Sequence, residues 1–161
     1  AANILASLLP RLAQEVGYCQ GCRDFSEAPF CSLCQQRALR SQLCIVESPL
    51  DVYAIEESGV YTGRYFVLHG FLSPIDGIGP EDLGVQQLAY LLGQNEIHEV
   101  ILALDGSIDA RSTAHYLFQR LESFEVKVTQ LAQGIPMGGS LEYADAATLA
   151  KAFDHRYEDE K

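Results

Sequence analysis

The residues best placed to do chemistry are four cysteines in two Cys-x-x-Cys pairs, Cys19 with Cys22 and Cys31 with Cys34, with eight residues between the pairs. Each pair offers two thiolates from one tight turn, and the intervening loop lets the pairs close on one ion, which predicts a tetrahedral four-cysteine zinc site. Protein ligands fill all four positions, so the site is expected to be structural and not catalytic. The alternative is two redox or incidental pairs. A fifth cysteine, Cys44, falls inside an apolar run and reads as a small buried hydrophobe.

A second constellation is acidic. Glu47 and Asp105 follow two apolar runs, and Asp109 stands four residues further on. In a parallel sheet the carboxyl ends of such strands share one edge, where ligands bind, and carboxylates gathered there could hold Mg²⁺ for phosphoryl chemistry. Each also has a structural reading: Glu47 as a loop anchor, Asp105 as a turn residue, Asp109 as a favourable charge at a helix N-terminus. The histidines (His69, His98, His115, His155) are scattered and assemble no Ser/His/Asp or Cys/His set. The glycine runs Gly77-Ile78-Gly79-Pro80 and Gly138-Gly139 lack the lysine that a Walker A loop requires.

These residues need elements to position them. Apolar side chains at Ile4, Leu5, Leu8, Leu9, Leu12, Ala13 and Val16 have helical spacing, with Gly17 as a stop. Pro10 inside that pattern predicts either a kink or a helix beginning near Ser7. The stripe is expected to pack against the main body or a second subunit. Arg23 to Phe30, between the cysteine pairs, reads as a small hairpin, and a segment this short would take its folding energy from the metal.

After a linker carrying Arg37 and Arg40, residues 43–47 read as a strand. Ser48, Pro49 and Asp51 then start a helix running to Ser58, before Gly59. Residues 65–68 form a second strand, 69–84 a glycine- and proline-rich loop, and 86–92 a helix. Residues 99–104 are the clearest strand; the turn at 105–107, a helix over 109–122 and a strand over 125–129 follow. A glycine-rich loop at 134–139 precedes a last helix from Asp145 to Phe153. The acidic end, Glu158-Asp159-Glu160-Lys161, is expected to fray. Strands alternating with helices predict an α/β fold, a mostly parallel sheet with helices on both faces. The expected divisions are an N-terminal helical arm (1–17), a zinc finger (18–40), an α/β domain (41–135) and a C-terminal loop and helix (136–161).

Composition narrows the function. The 161 residues are 48% hydrophobic and carry a formal charge of −11. Strong general affinity for nucleic acid comes mainly from Lys and Arg, and this balance argues against it. Residues 1–44 hold four basic and three acidic side chains, so the acidity lies in the α/β part. No apolar run approaches the roughly 20 residues that span a bilayer, and the start shows no signal-peptide pattern. Paired cysteines with metal spacing favour a reducing compartment, so a cytoplasmic location is expected. The chain begins Ala1-Ala2-Asn3 without an initiating Met, as a fragment or processed chain would.

Four stretches together carry a family resemblance. They are the four-cysteine knuckle followed by Cys44-Ile45-Val46-Glu47-Ser48-Pro49-Leu50-Asp51; the run Gly63 to Pro80, with Ser73-Pro74-Ile75-Asp76-Gly77-Ile78-Gly79-Pro80; the strand Glu99 to Ala103; and Gly134-Ile135-Pro136-Met137-Gly138-Gly139-Ser140-Leu141-Glu142-Tyr143-Ala144-Asp145 with Thr148-Leu149. The chain resembles the bacterial RecR recombination proteins over nearly its whole length. The resemblance implies a zinc finger followed by a Toprim domain, the α/β module shared with topoisomerases and primases. It implies a non-enzymatic mediator of recombination and repair, forming ring-like oligomers, acting with RecO- and RecF-like partners at single-stranded DNA gaps, and associated with the nucleoid. Glu47 matches the first-strand Toprim glutamate, which in this family belongs to a partner-binding acidic region.

Two departures qualify that reading. Nothing here matches the family's N-terminal helix-hairpin-helix, so this chain alone is expected to bind DNA weakly. The stretch Leu104-Asp105-Gly106-Ser107-Ile108-Asp109-Ala110-Arg111 places Arg111 where the family has an acid, and Asp105 and Asp109 lack Asp-x-Asp spacing. The alternatives are a Mg²⁺-dependent Toprim enzyme acting on phosphodiesters, or a divergent copy that keeps protein contacts and has lost DNA binding.

Overall fold

A computed structural model describes residues 2–156; the acidic end at 158–161 lies outside them. The chain divides into two compact units, residues 1–129 and 130–161.

The first unit opens with helix α1, Ala2–Glu15, which contains Pro10. Of the two expectations for Pro10, a kink or a helix beginning near Ser7, the second is not met: Pro10 sits in the helix interior, past the first turn where proline is best tolerated. Ile4, Leu8, Leu9 and Leu12 remain exposed, so these positions of the apolar stripe do not pack on the body of this chain. Strands β1 (Gly17–Tyr18) and β2 (Phe25–Ser26) pair antiparallel around the first cysteine pair. The hairpin thus turns through Cys19–Asp24, around the first pair, and is not confined to the Arg23–Phe30 segment between the pairs. A short helix that the sequence did not signal, α2 (Ser32–Gln36), carries Cys34 and starts immediately after Cys31.

Strand β3, Gln42–Val46, is central. It pairs in parallel with β4 (Arg64–Val67) and with β5 (Glu99–Ala103). With β6 (Lys127–Gln130) the sheet order is β4-β3-β5-β6. Helices α3 (Pro49–Ser58), α4 (Val85–Gln94) and α5 (Ile108–Leu121) are the connections. Local chemistry fixes their ends. The Asp51 carboxylate accepts from the Ser48 amide at 2.8 Å and hydroxyl at 3.0 Å, Gly59 closes α3 in a left-handed conformation (φ 66°), and Ser107 accepts from the Ala110 amide at 3.1 Å.

Alternation along the strands builds two cores. Leu43, Ile45, Phe66, Leu68, Val100 and Leu102 point to one face, where Leu88, Leu91 and Leu92 of α4 and Leu117 and Leu121 of α5 cover them. Cys44, Val46, Tyr65 and Val67 point to the other, where Val52 of α3 meets Cys19 and Cys22 of the knuckle. The knuckle shares the core of the sheet's second face, so Cys19 and Cys22 are buried by the α/β layer as well as by the other cysteines, and Cys31 and Cys34 are half-buried against it.

In the second unit, a 3-10 turn (Leu141–Tyr143) precedes α6, Ala146–Asp154. Asp145 caps α6 as its position suggests, accepting from the Thr148 amide at 2.8 Å. Gly138 takes a left-handed conformation (φ 77°), and the Gly139 amide donates to the Pro136 carbonyl at 2.9 Å.

Candidate metal centre and acidic edge

The two cysteine pairs converge. Cys19 Sγ lies 3.7 Å from Cys34 Sγ, Cys22 Sγ lies 3.5 Å from Cys31 Sγ, and all four sulfurs fall within 4.8 Å of one another. Four thiolates around an ion at about 2.3 Å would be separated by about 3.8 Å in a regular tetrahedron, so the observed spacing fits such an ion with little adjustment. The four sulfurs can hold a metal ion. Cys19 and Cys22 are buried, and the Cys31 amide donates to Cys19 Sγ at 3.2 Å, the kind of outer contact that orients a thiolate ligand. Gly21 makes room: a Cβ there would stand 3.0 Å from Cys34 Sγ and 3.5 Å from the Phe30 ring.

The thiols differ sharply. Burial opposes ionisation of Cys19, but backbone amides of Cys22, Cys31 and Gly21 outweigh it and bring its pKa down to about 7. The hydrogen bond with Cys34, reinforced by burial, pushes Cys22 far up, and burial pushes Cys31 up to about 12. Packed thiols cannot all ionise beside one another; a divalent cation would remove that conflict. Cys44 lies on the same side of the sheet, its thiol raised to about 12 by burial and by Asp51.

The carboxylates behave differently. Glu47 follows β3 and is half-buried; burial, then Asp105, then Asp51 raise its pKa. Asp105 and Asp109 are exposed, and Asp105 accepts the Ser107 amide at 2.8 Å. Among the described residues, the four cysteines are the one group of three or more His, Cys, Asp or Glu side chains whose ligand atoms gather closely. Glu47, Asp105 and Asp109 do not form another. They share an edge without closing on a point.

The Toprim domain family matches residues 41–132, and the RecR C-terminal family matches residues 134–157. Recombination protein RecR of Hydrogenovibrio crunogenus is 52% identical over 153 residues, covering 94% of this chain and 78% of the relative. The chain belongs to the RecR family. A second RecR, from Saccharophagus degradans, is 47% identical over 158 residues, covering 98% of this chain and 80% of that protein. The expected α/β fold, with a parallel sheet, an N-terminal helix and a four-cysteine cluster, is the fold found. RecR membership makes this a recombination and repair protein. No helix among the described residues is long and apolar enough to cross a membrane.

Residues that spacing did not single out tie the RecR knuckle to its sheet. The Val67 amide on edge strand β4 donates to the Cys22 carbonyl at 2.8 Å, and Gln87 Nε2 donates to the Gln20 carbonyl at 2.6 Å. Arg37, legible only as a basic linker residue, forms two 2.8 Å hydrogen bonds to Glu56, whose Oε1 also accepts the Tyr65 hydroxyl at 2.6 Å. The Arg37 hydrogen bonds lower the Glu56 pKa against the opposing effect of burial, with Tyr65 lowering it further. No local signal marks such partners, because Arg37 and Glu56 meet only once α3 has folded beside β4.

Proposed function

We propose that this chain is a non-enzymatic mediator of DNA recombination and repair, a zinc-stapled Toprim scaffold working with RecO- and RecF-like proteins at single-stranded DNA gaps. Identity of 52% to a recombination protein RecR over 94% of the chain is the observation that carries it. Cys19, Cys22, Cys31 and Cys34 hold a structural Zn²⁺: the donor set is all sulfur, the sulfurs lie within 4.8 Å of one another, and four thiolates leave no position for substrate. When bound, the ion supplies folding energy to a segment that has few apolar contacts of its own. The arm (1–17), finger (18–40), Toprim domain (41–135) and C-terminal segment (136–161) serve one assembly, a homo-oligomer located in the cytoplasm at the nucleoid.

Glu47, Asp105 and Asp109 act as a partner surface. A dispersed set of acids, with Asp105 and Asp109 exposed and Glu47 half-buried, suits attraction of a basic protein face better than coordination of Mg²⁺, which demands near-octahedral convergence. The chain's acidity, concentrated after residue 44, accords with weak DNA binding by this chain alone.

Binding of a RecO-like protein to the wild-type chain and to Glu47→Gln and Asp105→Asn variants tests the surface. Weaker binding, with a smaller dependence on salt, is expected from each variant. Incubation with a DNA substrate and Mg²⁺ or Mn²⁺ tests the absence of catalysis: cleavage abolished by Glu47→Gln would establish a Toprim enzyme in place of a scaffold. A gel-shift titration at low salt, against a chain carrying an added helix-hairpin-helix, separates a mediator from a copy that has lost DNA binding. About one zinc per chain is expected on metal analysis.

A further inference from the structure

Among the described residues, two non-glycine residues have a left-handed backbone, Arg23 (φ 65°) and His69 (φ 64°), and they are in contact. Side chains other than glycine, asparagine and aspartate visit this region rarely and stay only where their surroundings over-determine the conformation. Here the surroundings belong to two different segments. Arg23 follows Cys22 in the metal knuckle, and its amide donates to the Cys19 carbonyl at 2.9 Å, closing the turn that presents the first cysteine pair. His69 begins the glycine-rich loop that leaves edge strand β4.

The two join the knuckle to the acidic edge. His69 Nε2 lies 2.6 Å from the Arg23 carbonyl, and its ring centroid is 4.4 Å from that of Tyr18. The His69 amide donates to the Glu47 carbonyl at 2.7 Å. The Arg23 guanidinium continues over the Phe66 ring and donates through Nη2 to the Asp82 carbonyl at 2.8 Å, while Nη1 is buried without a partner. It lies so close to Gly84, itself left-handed at φ 69°, that any Cβ there would collide with it. The loop is pinned separately on the other side, where buried Thr113 of α5 accepts the Leu72 amide at 2.9 Å.

We propose that the metal site latches the 69–84 loop and the backbone at Glu47. Metal binding fixes the Cys19–Asp24 turn, that turn holds Arg23 left-handed, and Arg23 holds His69 and the 82–84 segment. Release of the ion frees this strip, while the sheet face beneath α4 and α5 stays folded, because none of the apolar side chains that build it comes from the knuckle. Metal state is thereby communicated to the edge that carries Glu47. The inference rests on the reading of the four cysteines as a zinc site.

Hydrogen exchange of the full chain, zinc-loaded and after chelation, tests it. Peptides spanning 64–69 and 79–84 are expected to lose about tenfold or more in protection on metal removal, while those spanning 99–103 and 110–121 change by less than about twofold. Loss confined to 17–36, or spread equally over every segment, overturns the latch and leaves the zinc reading intact. A chain that takes up no metal overturns both. Arg23→Asn keeps a residue that tolerates the left-handed region and removes the guanidinium. With zinc in excess, it is expected to expose 79–84 to exchange by about tenfold without affecting 99–103. Unchanged exchange at 79–84, or equal loosening of 99–103, overturns the latch.

Discussion

Arg37→Ala tests how firmly the segment after the knuckle is tied to the Toprim layer. Both terminal guanidinium nitrogens, Nη1 and Nη2, reach Glu56 at 2.8 Å, Nη1 also donates to the Gly63 carbonyl at 3.0 Å, and the guanidinium carbon lies 5.9 Å from the centre of the Tyr65 ring. The side chains of Arg37 and Glu56 are 18% and 28% exposed, between an open surface pair and a sealed one. Exposed pairs contribute up to about 1 kcal/mol and breaking a buried one costs about 3–5, so about 2 kcal/mol is expected for this pair. Loss of the Tyr65 contact adds about 0.5 kcal/mol.

Urea unfolding followed by circular dichroism provides the measurement, since the chain has no Trp. The pH dependence sharpens the test. Arg37 holds the Glu56 pKa below its ordinary value, so the stabilisation is complete above the unfolded carboxyl pKa of about 4.3. It is lost as pH falls through the lower folded value, and the difference between wild type and Arg37→Ala is expected to shrink over that range. A double-mutant cycle with Glu56→Gln should show about 1 kcal/mol or more of coupling. A cost below about 0.5 kcal/mol at pH 7, with no coupling, would refute the reasoning.

Gly84→Ala places a β-carbon against Arg23 on a left-handed backbone, and a loss of about 2 kcal/mol or more in urea unfolding is expected; a neutral result would show that the loop yields freely. Gly21→Ala crowds Cys34 Sγ, and chelator competition should show metal affinity about tenfold weaker, against no change if the knuckle simply expands. Leu117→Ala opens a cavity under α5, where Leu117 is fully buried, and should cost about 3 kcal/mol by the same unfolding measurement. Ser107→Ala removes the α5 cap and should cost about 1 kcal/mol, with a loss below about 0.3 arguing that solvent replaces it.

The alternation of apolar runs with capped helical segments was enough to place β3, α3, β4, α4, β5 and α5 within two or three residues, because caps, glycine stops and strand-length runs act locally. Two expectations differed from the fold for local reasons. The hairpin moved from residues 23–30 to flank the first cysteine pair, because the Cys19 amide bonds to the Asp24 carbonyl and forces the turn there. The start of α1 ignored Pro10, whose cost is one missing donor and a local clash, not a rule about where the helix begins.

The sequence by itself determined the four metal-ligand candidates and the family, since both reside in residue types at fixed spacings. Only the tertiary structure decided that Cys19 and Cys22 are buried against the sheet's second face, that Arg23 and His69 meet in left-handed conformations, and that Glu47, Asp105 and Asp109 share an edge without converging. Thiolate spacing is set by a turn of a few residues and survives in the linear chain. Those three arrangements join segments tens of residues apart, and the parallel pairing of β3 with β4 and β5 brings them together.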